Sequence, residues 1–460
     1  MKIALCKSHF AGPVSGADET LVTYAIKLKQ SGHDVHVALL YKHSNNDGYY
    51  RRLECAGVPV DNVIKHSVAF MLLRALRNSL GSILLFIFLI PRSTESLRKI
   101  WQLVIDLISR VHYRECKTQF AAANYDLLHV FTPDTGATLM IRAGNELGIP
   151  VLYHEMGTPG HLPALDPYYK KLEKVLPLCT EVAALSPSLA NQWQARFPFL
   201  PWISTLPLIS DDAERMPVFV NKRDEEIVFG YAGRVEAGKG PFVLVEALNM
   251  CPQNGVRSML RIAGTGPDLL QMKKLVRTSK LSGRCEFVGA YSGALGCSAF
   301  MRSLDVFVLP SFAEGTANSV IEAMAHGLPI ITTNVGGLPD LITPAEGILV
   351  PPGNSALLAA AMKKLACDRD LRMRMGVAAR KRYLKLFATD AVLPMLSRTY
   401  SRLAGTTIPV AEDNVVHPWE HASYRCKTTQ VDDRPVTPST LSSAFDLLPE
   451  LFAADENAAS

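Results

Sequence analysis

The sequence predicts an α/β protein built from two doubly wound parallel sheets, and three observations support this fold class. The chain has 460 residues, more than one hydrophobic core usually supports, so two domains are expected. Short apolar runs alternate with stretches of helical period, which is the rhythm of βαβ units. A polar break at 221–226 interrupts this rhythm, which then restarts, so a second sheet is expected from residue 225.

The first domain is assigned to 1–210. Its predicted strands are the apolar runs Lys2–Cys6, His33–Tyr41, Leu127–Phe131, Val151–His154 and Val182–Leu185. The insertion 68–117 departs from the rhythm, because it is mostly apolar yet contains Arg74, Arg77 and Asn78. Its uninterrupted part, 80–90, is shorter than the ~20 residues that cross a bilayer. Two interpretations stay open: a buried helix pair, or an interfacial helix that brings 68–99 to a membrane surface.

The second domain is assigned to 225–385. Its predicted strands are Ile227–Tyr231, Leu260–Ala263, Cys285–Val288, Val306–Leu309, Ile330–Thr333 and Ile348–Val350. Residues 386–404 are expected to form a helix that crosses back to the first domain. Residues 405–460 lack periodicity and are rich in Thr, Pro, Asp and Ser, which predicts a disordered tail.

Composition and charge exclude several classes of protein. Hydrophobic residues make up 48% and charged residues 20%, which is ordinary for a globular chain. The net charge of +5 is too mild for a nucleic-acid-binding protein, so no nucleic-acid partner is expected. The nine cysteines are scattered and never spaced as CxxC, which predicts neither a disulfide framework nor a zinc site. The scattered cysteines and an N-terminus that lacks the pattern of a signal peptide together favour a cytoplasmic protein.

The most informative motif is the stretch 309–327, LPSFAEGTANSVIEAMAHG, where a buried strand breaks at Pro310 and a helix begins near Asn318. Glu314 in the loop and Glu322 about one turn into the helix bracket a helix N-terminus, which suits a phosphate. Carboxylates accept hydrogen bonds from paired hydroxyls, so one would bind a ribose diol and the other a hexose. Spacing alone favours a simpler alternative, in which Glu322 is a solvated helix residue and Glu314 a loop charge.

Two glycine-rich turns follow other predicted strands. The turn 230–241, GYAGRVEAGKGP, carries Arg234 and Lys239, which together are able to neutralise a leaving diphosphate without a metal. By itself such a turn is more often a surface loop than a site. The turn Gly264-Thr265-Gly266 would line a base pocket. The run 368–370 matches the metal-binding DxD pattern, but it lies in a charged, helix-like stretch and is interpreted as surface, so no metal is expected.

These motifs occur in one order: Gly233-Arg234, Lys239-Gly240, Gly264-Thr265-Gly266, Pro310-Ser311, the Glu314/Glu322 pair and the stretch 335–340, VGGLPD. The order resembles the C-terminal domain of family 4 retaining glycosyltransferases of the GT-B fold, in which two Rossmann-like domains face each other across a cleft. The resemblance covers 225–400 almost continuously. It implies that Arg234 and Lys239 contact the donor phosphates, Glu314 the transferred sugar and Glu322 the ribose.

The resemblance is weaker in the first half. Gly16 opens a predicted helix, as in the family's glycine loop near the donor phosphates, although Ser15 replaces a usual glycine. The stretches 126–129 and 150–155 resemble two strand-end histidine motifs, which implies His154 in the catalytic pocket. A lone histidine at a strand end is more often structural, and that alternative stays favoured for His129. The family's Asn-Gly-Val-Asp linker is absent, because Leu206–Asp211 stands there.

The resemblance implies four catalytic-pocket residues: His154, Glu314, Arg234 and Lys239. It implies a donor-binding set of Gly16, Gly233, Arg234, Lys239, Gly264, Gly266, Glu314, Gly315, Thr316, Ala317, Asn318 and Glu322. The family commonly has an apolar residue and then Pro after Glu-Gly, whereas Thr316-Ala317 stands here, a departure that bears on the identity of the sugar.

The expected function is metal-independent, retaining transfer of a hexose from a nucleotide diphosphate sugar, UDP before GDP, to a glycan or lipid-linked acceptor hydroxyl. No resident cofactor is expected. The expected process is cell-envelope polysaccharide or glycolipid synthesis, at the inner face of the plasma membrane if 68–99 contacts lipid. Alternatives are a GT-B-like nucleotide-sugar epimerase, a non-catalytic sugar-nucleotide-binding protein and, more remotely, a glycoside hydrolase with two carboxylates ~5–9.5 Å apart.

Overall fold

The structure is a computed structural model that describes residues 1–10, 15–41, 47–64, 94–159, 166–210, 226–251, 256–291, 293–406 and 416–420. Within these ranges the chain forms two parallel β-sheets flanked by helices, and both sheets lie in one compact unit, Met1–Ser423. This confirms the fold class predicted from the sequence.

The first sheet is formed by strands from the N-terminal half. Its strands are β1 (Lys2–Lys7), β2 (Asp34–Leu39), β3 (Val60–Asn62), β4 (Leu127–Phe131), β5 (Val151–Glu155), β6 (Glu181–Ala184) and β7 (Ser204–Thr205). Their order is β3-β2-β1-β4-β5-β6-β7. The helices are α1 (Gly16–Gln30), α2 (Gly48–Cys55), α3 (Thr94–Ala123), α4 (Thr135–Glu146), α5 (Asp166–Leu172) and α6 (Pro187–Arg196), with a 3₁₀ turn at Leu176–Leu178.

The strands of this sheet are apolar on both faces because helices cover both sides. In β1, Ala4 and Cys6 belong to one hydrophobic cluster, whereas Ile3 and Leu5 belong to a second cluster on the opposite face. Alternate side chains of a strand point to opposite faces, so a sheet with two cores reads as a continuous apolar run. This is why the central strands were recognisable in the sequence.

The second sheet is formed by strands from the C-terminal half. Its strands are β8 (Glu226–Ala232), β9 (Arg257–Ala263), β10 (Cys285–Gly289), β11 (Val306–Leu309), β12 (Ile330–Thr333) and β13 (Gly347–Val350). Their order is β10-β9-β8-β11-β12-β13. The helices are α7 (Pro241–Met250), α8 (Leu269–Thr278), α9 (Gly293–Arg302), α10 (Asn318–Ala325), α11 (Leu338–Leu341), α12 (Ser355–Cys367), α13 (Arg369–Leu386) and α14 (Thr389–Ala404), with a 3₁₀ turn at Ala237–Lys239.

Helix α14 follows the second sheet in sequence but packs on the first. Val392, Leu396 and Tyr400 are buried in the same hydrophobic cluster as Ile3 and Leu5 of β1. Its preceding segment is also attached to the first half, since the Tyr383 hydroxyl donates to the Ser210 carbonyl at 2.9 Å. The C-terminal helix therefore ties the two halves of the unit together.

Residues 416–420 lie within the stretch for which the sequence predicts disorder, yet they are packed. Trp419 is 8% exposed and meets Phe387 edge to face, with ring centroids 5.7 Å apart. His417 Nε2 lies 3.0 Å from the Leu386 carbonyl, and Glu420 pairs with Arg398 at 2.5 Å. This short segment thus contacts the end of α13 and α14, which the polar composition of 405–460 gave no means to predict.

The insertion 68–117 is described only in part. Residues 94–123 form α3, while 80–90 and the side chains of Arg74, Arg77, Arg98 and Lys99 lie outside the described residues. Among the helices that the structure describes, none is both long and apolar enough to cross a bilayer. The membrane-contact interpretation of 68–99 therefore stays a prediction. The surface interpretation of 368–370 is confirmed, because all three residues are exposed and Asp368 caps α13 at the Leu371 amide, 2.8 Å away.

Candidate functional site

The carboxyl edge of the second sheet carries most of the predicted site residues. The turn after β8 contains Arg234 and Lys239, and the loop after β11 contains Glu314. The two segments touch directly, because the Phe312 amide donates to the Gly238 carbonyl at 3.0 Å. Neighbouring parallel strands end at the same edge, so β8 and β11 bring together residues that are far apart in sequence.

Glu314 is a firmly held acidic group of this edge. Its side chain is 9% exposed, and Oε1 accepts hydrogen bonds from Lys239 Nζ at 2.9 Å and from Ser311 Oγ at 2.8 Å. The loop around it is fixed in turn, since Thr333 Oγ1 donates to the Ser311 carbonyl at 2.6 Å. The sequence did not identify Ser311 as a partner of the carboxylate. These bonds fix the direction of Glu314 before any ligand arrives.

Arg234 differs from Lys239 in its exposure and its partner. Its side chain is 58% exposed, and its Nε lies 3.2 Å from Glu236 Oε2, within the same turn. Lys239 is 28% exposed and reaches across to the β11 loop. Arg234 is therefore an exposed surface cation beside the edge, whereas Lys239 joins the two segments that form it.

The predicted glycines of this edge serve close packing between turns. A Cβ at Gly264 would lie 1.9 Å from the Gly233 carbonyl oxygen, and one at Gly266 would lie 2.3 Å from that of Val235. Gly264 also has a φ of 148°, which other residues rarely adopt. The turn after β9 therefore supports the turn that carries Arg234. This contact explains these glycines without a ligand, and their predicted role in lining a base pocket stays a prediction.

Helix α10 begins at this edge, as predicted. Ala317 is its N-cap residue and supplies no side-chain hydrogen bond, so the amides of the first turn lack a side-chain cap. The amide groups and the helix dipole concentrate positive potential where the loop with Gly315 and Thr316 enters the helix. Such a terminus is a suitable place for an anion.

The N-terminus of α1 approaches the same place from the first half of the chain. A Cβ at Gly16 would lie 3.6 Å from Asn318 Nδ2, so the first residues of α1 and α10 face each other. Ser15 caps α1 by accepting a hydrogen bond from the Asp18 amide at 3.3 Å. The structure thus brings Gly16 together with Asn318, as the sequence-based donor set requires.

Glu322 lies one turn into α10 and is partly buried. Its Oε2 accepts a hydrogen bond from the Tyr291 hydroxyl at 2.6 Å. Tyr291 follows β10, and burial, with the negative charge of Glu322 beside it, raises its pKa, so the phenol stays protonated as a donor. Tyr291 was not predictable from the sequence, since no local pattern relates it to a glutamate 31 positions away.

His129 lies in the middle of β4 and His154 one residue before the end of the neighbouring strand β5, and both are inside a closed aromatic cluster. Both side chains are fully buried, and His129 Nε2 lies 3.3 Å from His154 Nδ1. His129 Nδ1 also forms a 2.6 Å hydrogen bond with the Tyr400 hydroxyl of α14. Burial lowers the pKa of His154 to about 3 and that of His129 well below 6.5, so both rings are neutral at neutral pH. The structure therefore does not expose His154 at the cleft in this arrangement.

The two halves meet along a seam beside Glu314. A Cβ at Gly315 would lie 2.5 Å from the Met156 carbonyl oxygen. The absence of a side chain at Gly315 therefore lets the turn after β5 contact the Glu314 loop. That turn is held by Glu155, whose Oε1 accepts from the Met156 and Gly157 amides at 3.0 and 3.1 Å. The Tyr153 hydroxyl donates to Oε2 at 2.7 Å. Burial raises the pKa of Glu155 to about 7.

A second contact of the seam joins α6 to α11. Asp340 accepts two hydrogen bonds from Ser188, one from the amide and one from the hydroxyl, each at 2.7 Å. The Arg382 guanidinium donates to the Asp340 carbonyl at 2.7 Å. Asp340 ends the motif 335–340, VGGLPD, but its partner in the first half was not predicted from the sequence.

Comparison with known families finds a match in the second half of the chain. Residues 212–382 match the family model described as glycosyl transferases group 1. The chain is 29% identical over 182 residues to the capsular polysaccharide biosynthesis glycosyltransferase CapM of Staphylococcus aureus, which covers 39% of this chain and 47% of that protein. It is 33% identical over 144 residues to the 2-deoxystreptamine glucosyltransferase of Streptomyces kanamyceticus, covering 31% and 36% respectively. The matches thus span less than half of these relatives.

Solved structures match over most of the chain at low identity. Sucrose-phosphate synthase from Thermosynechococcus elongatus aligns with a TM-score of 0.65 at 20% identity, covering 88% of this chain and 99% of that one. Anabaena Alr3699/HepE, in complex with UDP and glucose, aligns with a TM-score of 0.63 at 19% identity, covering 87% and 100%. These likenesses establish the fold, which is the GT-B fold expected from the sequence.

Proposed function

We propose that this chain is a retaining glycosyltransferase of family 4 that uses a nucleotide diphosphate sugar as its donor. The observation that carries the proposal is the Lys239–Glu314 ion pair, 2.9 Å long, which joins the turn after β8 to the loop that leads into α10. A cation, a preoriented carboxylate and a helix N-terminus without a side-chain cap are thereby combined in one small region. The group 1 match spans all three.

Each of these groups suits one part of such a donor. The α10 N-terminus, Lys239 and Arg234 would bind the diphosphate, because helix amides and cations both stabilise phosphate charge. Glu314 would accept hydrogen bonds from hydroxyls of the transferred hexose, and Glu322 from the ribose diol. Gly16 would let the N-terminus of α1 approach the phosphates without a side chain between them.

In the proposed reaction, the bond between the anomeric carbon and the β-phosphate oxygen breaks while the acceptor oxygen bonds to the same face of that carbon. The acceptor hydroxyl's proton goes to the departing phosphate oxygen, so the products are a glycoside and a nucleoside diphosphate. Lys239, Arg234 and the helix N-terminus stabilise the charge that develops on the leaving group. We propose that these groups replace a metal ion in that role.

The donor base and the acceptor are inferred from the relatives. The HepE complex with UDP and glucose supports UDP before GDP. The relative in capsular polysaccharide biosynthesis supports a glycan acceptor in cell-envelope polysaccharide synthesis. A lipid-linked acceptor at the inner face of the plasma membrane belongs to the proposal if 68–99 contacts lipid. His154 stays a proposed reaction-centre residue, a role that requires its closed surroundings to open, because its ring has no exposed surface in this structure.

Thermal unfolding with nucleotides tests the donor proposal. We would measure stabilisation by UDP, GDP and ADP in EDTA for the wild type and for Arg234→Ala/Lys239→Ala. A ligand at one hundred times its Kd stabilises the folded state by about 2.7 kcal/mol, which is readily detected. We expect UDP to stabilise the wild type and to stabilise the double variant much less.

The matched control is Lys117→Ala, which removes a lysine from another 2.9 Å ion pair, with Glu146, on the first half of the chain. This variant should be stabilised by UDP as much as the wild type is. No shift of the wild type with any of the three nucleotides would contradict the donor proposal. A shift that survives in the double variant would place the diphosphate elsewhere. Incubation with UDP-hexoses and product analysis then separate transfer from epimerisation and from binding without turnover.

A further inference from the structure

Tyr291 links the end of β10 to the carboxylate that is proposed to hold the ribose. Its hydroxyl donates to Glu322 Oε2 at 2.6 Å, a short distance for a hydrogen bond to a carboxylate. Tyr291 and Glu322 belong to different βα units of the second sheet, and both lie at its carboxyl edge. The contact therefore fixes the direction of Glu322 relative to the loop that follows β10.

The Tyr291 ring is itself held firmly. It stacks on Phe300 of α9, with ring centroids 5.6 Å apart and planes at 30°, and Phe300 is 6% exposed. A Cβ at Gly296 would lie 3.3 Å from Tyr291 Cβ, so this glycine lets α9 approach the ring closely. The ring borders an open cavity of about 270 Å³, so it forms part of a surface wall. A phenol with few accessible rotamers is a precise hydrogen-bond donor.

We propose that Tyr291 is a positioning residue that aims the Glu322 carboxylate at the ribose diol and thereby makes the site selective for ribonucleoside over dideoxyribonucleoside diphosphates. The inference rests on the proposed function, because it assumes that a nucleoside diphosphate binds at this edge. Tyr291 belongs to none of the sequence motifs that suggested the donor site. A carboxylate accepts up to about four hydrogen bonds, so Glu322 is able to hold the phenol and a diol together.

The alternative for this contact is a purely structural role. Tyr291 would then support the loop after β10, and its hydroxyl would matter equally for every nucleotide that binds nearby. The two roles differ in one measurable property. A positioning role acts only through the ribose hydroxyls, so its loss has no effect on a nucleotide that lacks them.

Calorimetric titration of UDP and 2′,3′-dideoxy-UDP, in EDTA, distinguishes these roles. The proteins are the wild type, Tyr291→Phe and the control Tyr125→Phe, which removes an equivalent 2.7 Å hydrogen bond to Asp61 in the first half of the chain. We expect the wild type to prefer UDP by about tenfold. Tyr291→Phe should weaken UDP binding by about fivefold to tenfold and leave dideoxy-UDP unchanged. Tyr125→Phe should change neither affinity.

Other results overturn the inference in identifiable ways. Equal weakening of both nucleotides by Tyr291→Phe would assign the tyrosine a structural role, and no weakening of either would remove its role altogether. A wild type that binds both nucleotides equally would show that Glu322 does not hold the diol, while the donor proposal stands. A wild type that binds neither UDP nor GDP in the stabilisation experiment would end the donor proposal, and this inference with it. If GDP is the nucleotide that binds, the guanosine pair replaces the uridine pair.

Discussion

At the carboxyl edge of the second sheet, Lys239 and Glu314 form a partly exposed ion pair, whereas at the corresponding edge of the first sheet His129 and His154 are fully buried. The first pair is charged and joins two loops. The second pair is neutral, because burial lowers the pKa of both histidines. Both edges end parallel strands in the same kind of sheet, so the strand pattern alone does not decide what an edge presents to solvent.

The packing of each edge accounts for this difference. Over the first sheet, α14 returns and places Tyr400 against His129, which closes the strand ends under an aromatic layer. At the second sheet, the loop with Glu314 leads into a helix that begins without a side-chain cap. A charged ligand is thus best accommodated at the second edge, where polar groups are oriented and accessible. The first edge is closed by aromatic rings, and its two histidines are neutral.

The largest expected effect comes from removing the charge of the oriented carboxylate. Glu314→Gln keeps the size of the side chain and one acceptor oxygen for the bonds from Lys239 and Ser311, but it removes the negative charge and places an N–H donor where Oε2 stood. If the proposed function holds, we expect kcat/KM with the nucleotide sugar donor to fall by about 10²–10³-fold, or about 3–4 kcal/mol. The measurement is initial rates of glycoside formation at matched protein concentrations.

The control for this prediction is Glu146→Gln, which disrupts the exposed ion pair with Lys117 far from the second edge. We expect it to keep full activity. Turnover that survives in Glu314→Gln would mean that the charged edge is not where the sugar is held. An equal loss in both variants would point to a general effect on folding.

The fold was largely predictable because central parallel strands are buried on both faces. All six strands of the second sheet appear in the sequence as apolar runs, and the structure confirms them. Two strands of the first sheet were missed, β3 and β7, with three and two residues. Both lie at sheet edges, where little burial is required and no apolar run develops. Short edge strands are specified by their neighbours more than by their own residues.

The candidate site was predictable only where its groups follow one another along the chain. Glu314, Glu322, Arg234 and Lys239 lie in short segments next to strand ends, and the structure puts them at one edge. Their partners Ser311 and Tyr291 were missed because hydrogen bonds between loops leave no periodic pattern. The burial of His154 was likewise unpredictable, because the rings packed around it come from separate segments, Tyr24 of α1 and both His129 and Phe131 of β4.

A smaller effect is expected from Glu155, the buried carboxylate of the first edge. Its pKa is raised from 4.5 to about 7, chiefly by burial, so the unfolded chain ionises at lower pH than the folded chain. Its contribution to stability is full below pH 4.5 and is lost as the pH rises to 7. Relative to Glu155→Gln, we expect the wild type's free energy of unfolding to fall by up to about 3 kcal/mol over this range.

Urea unfolding of both proteins between pH 4.5 and 8 measures this difference. The comparison between variants is needed because His154 acts in the opposite direction. Its pKa is lowered to about 3, so it reduces stability as the pH falls below 6.5 in both proteins alike, and this term cancels. A difference between wild type and Glu155→Gln that stays constant with pH would show that the carboxylate is not held protonated at this edge.

The smallest effect concerns the seam where the two edges meet. Asp340→Ala removes both hydrogen bonds to Ser188 at the start of α6. We expect the free energy of unfolding to fall by about 1 kcal/mol, which the shift of the urea midpoint measures. Asp340→Asn keeps one acceptor oxygen and should lose less, which makes it the matched control. If neither variant changes the midpoint, the seam does not contribute to stability through this bond, and the charged and neutral edges are held in register mainly by α14.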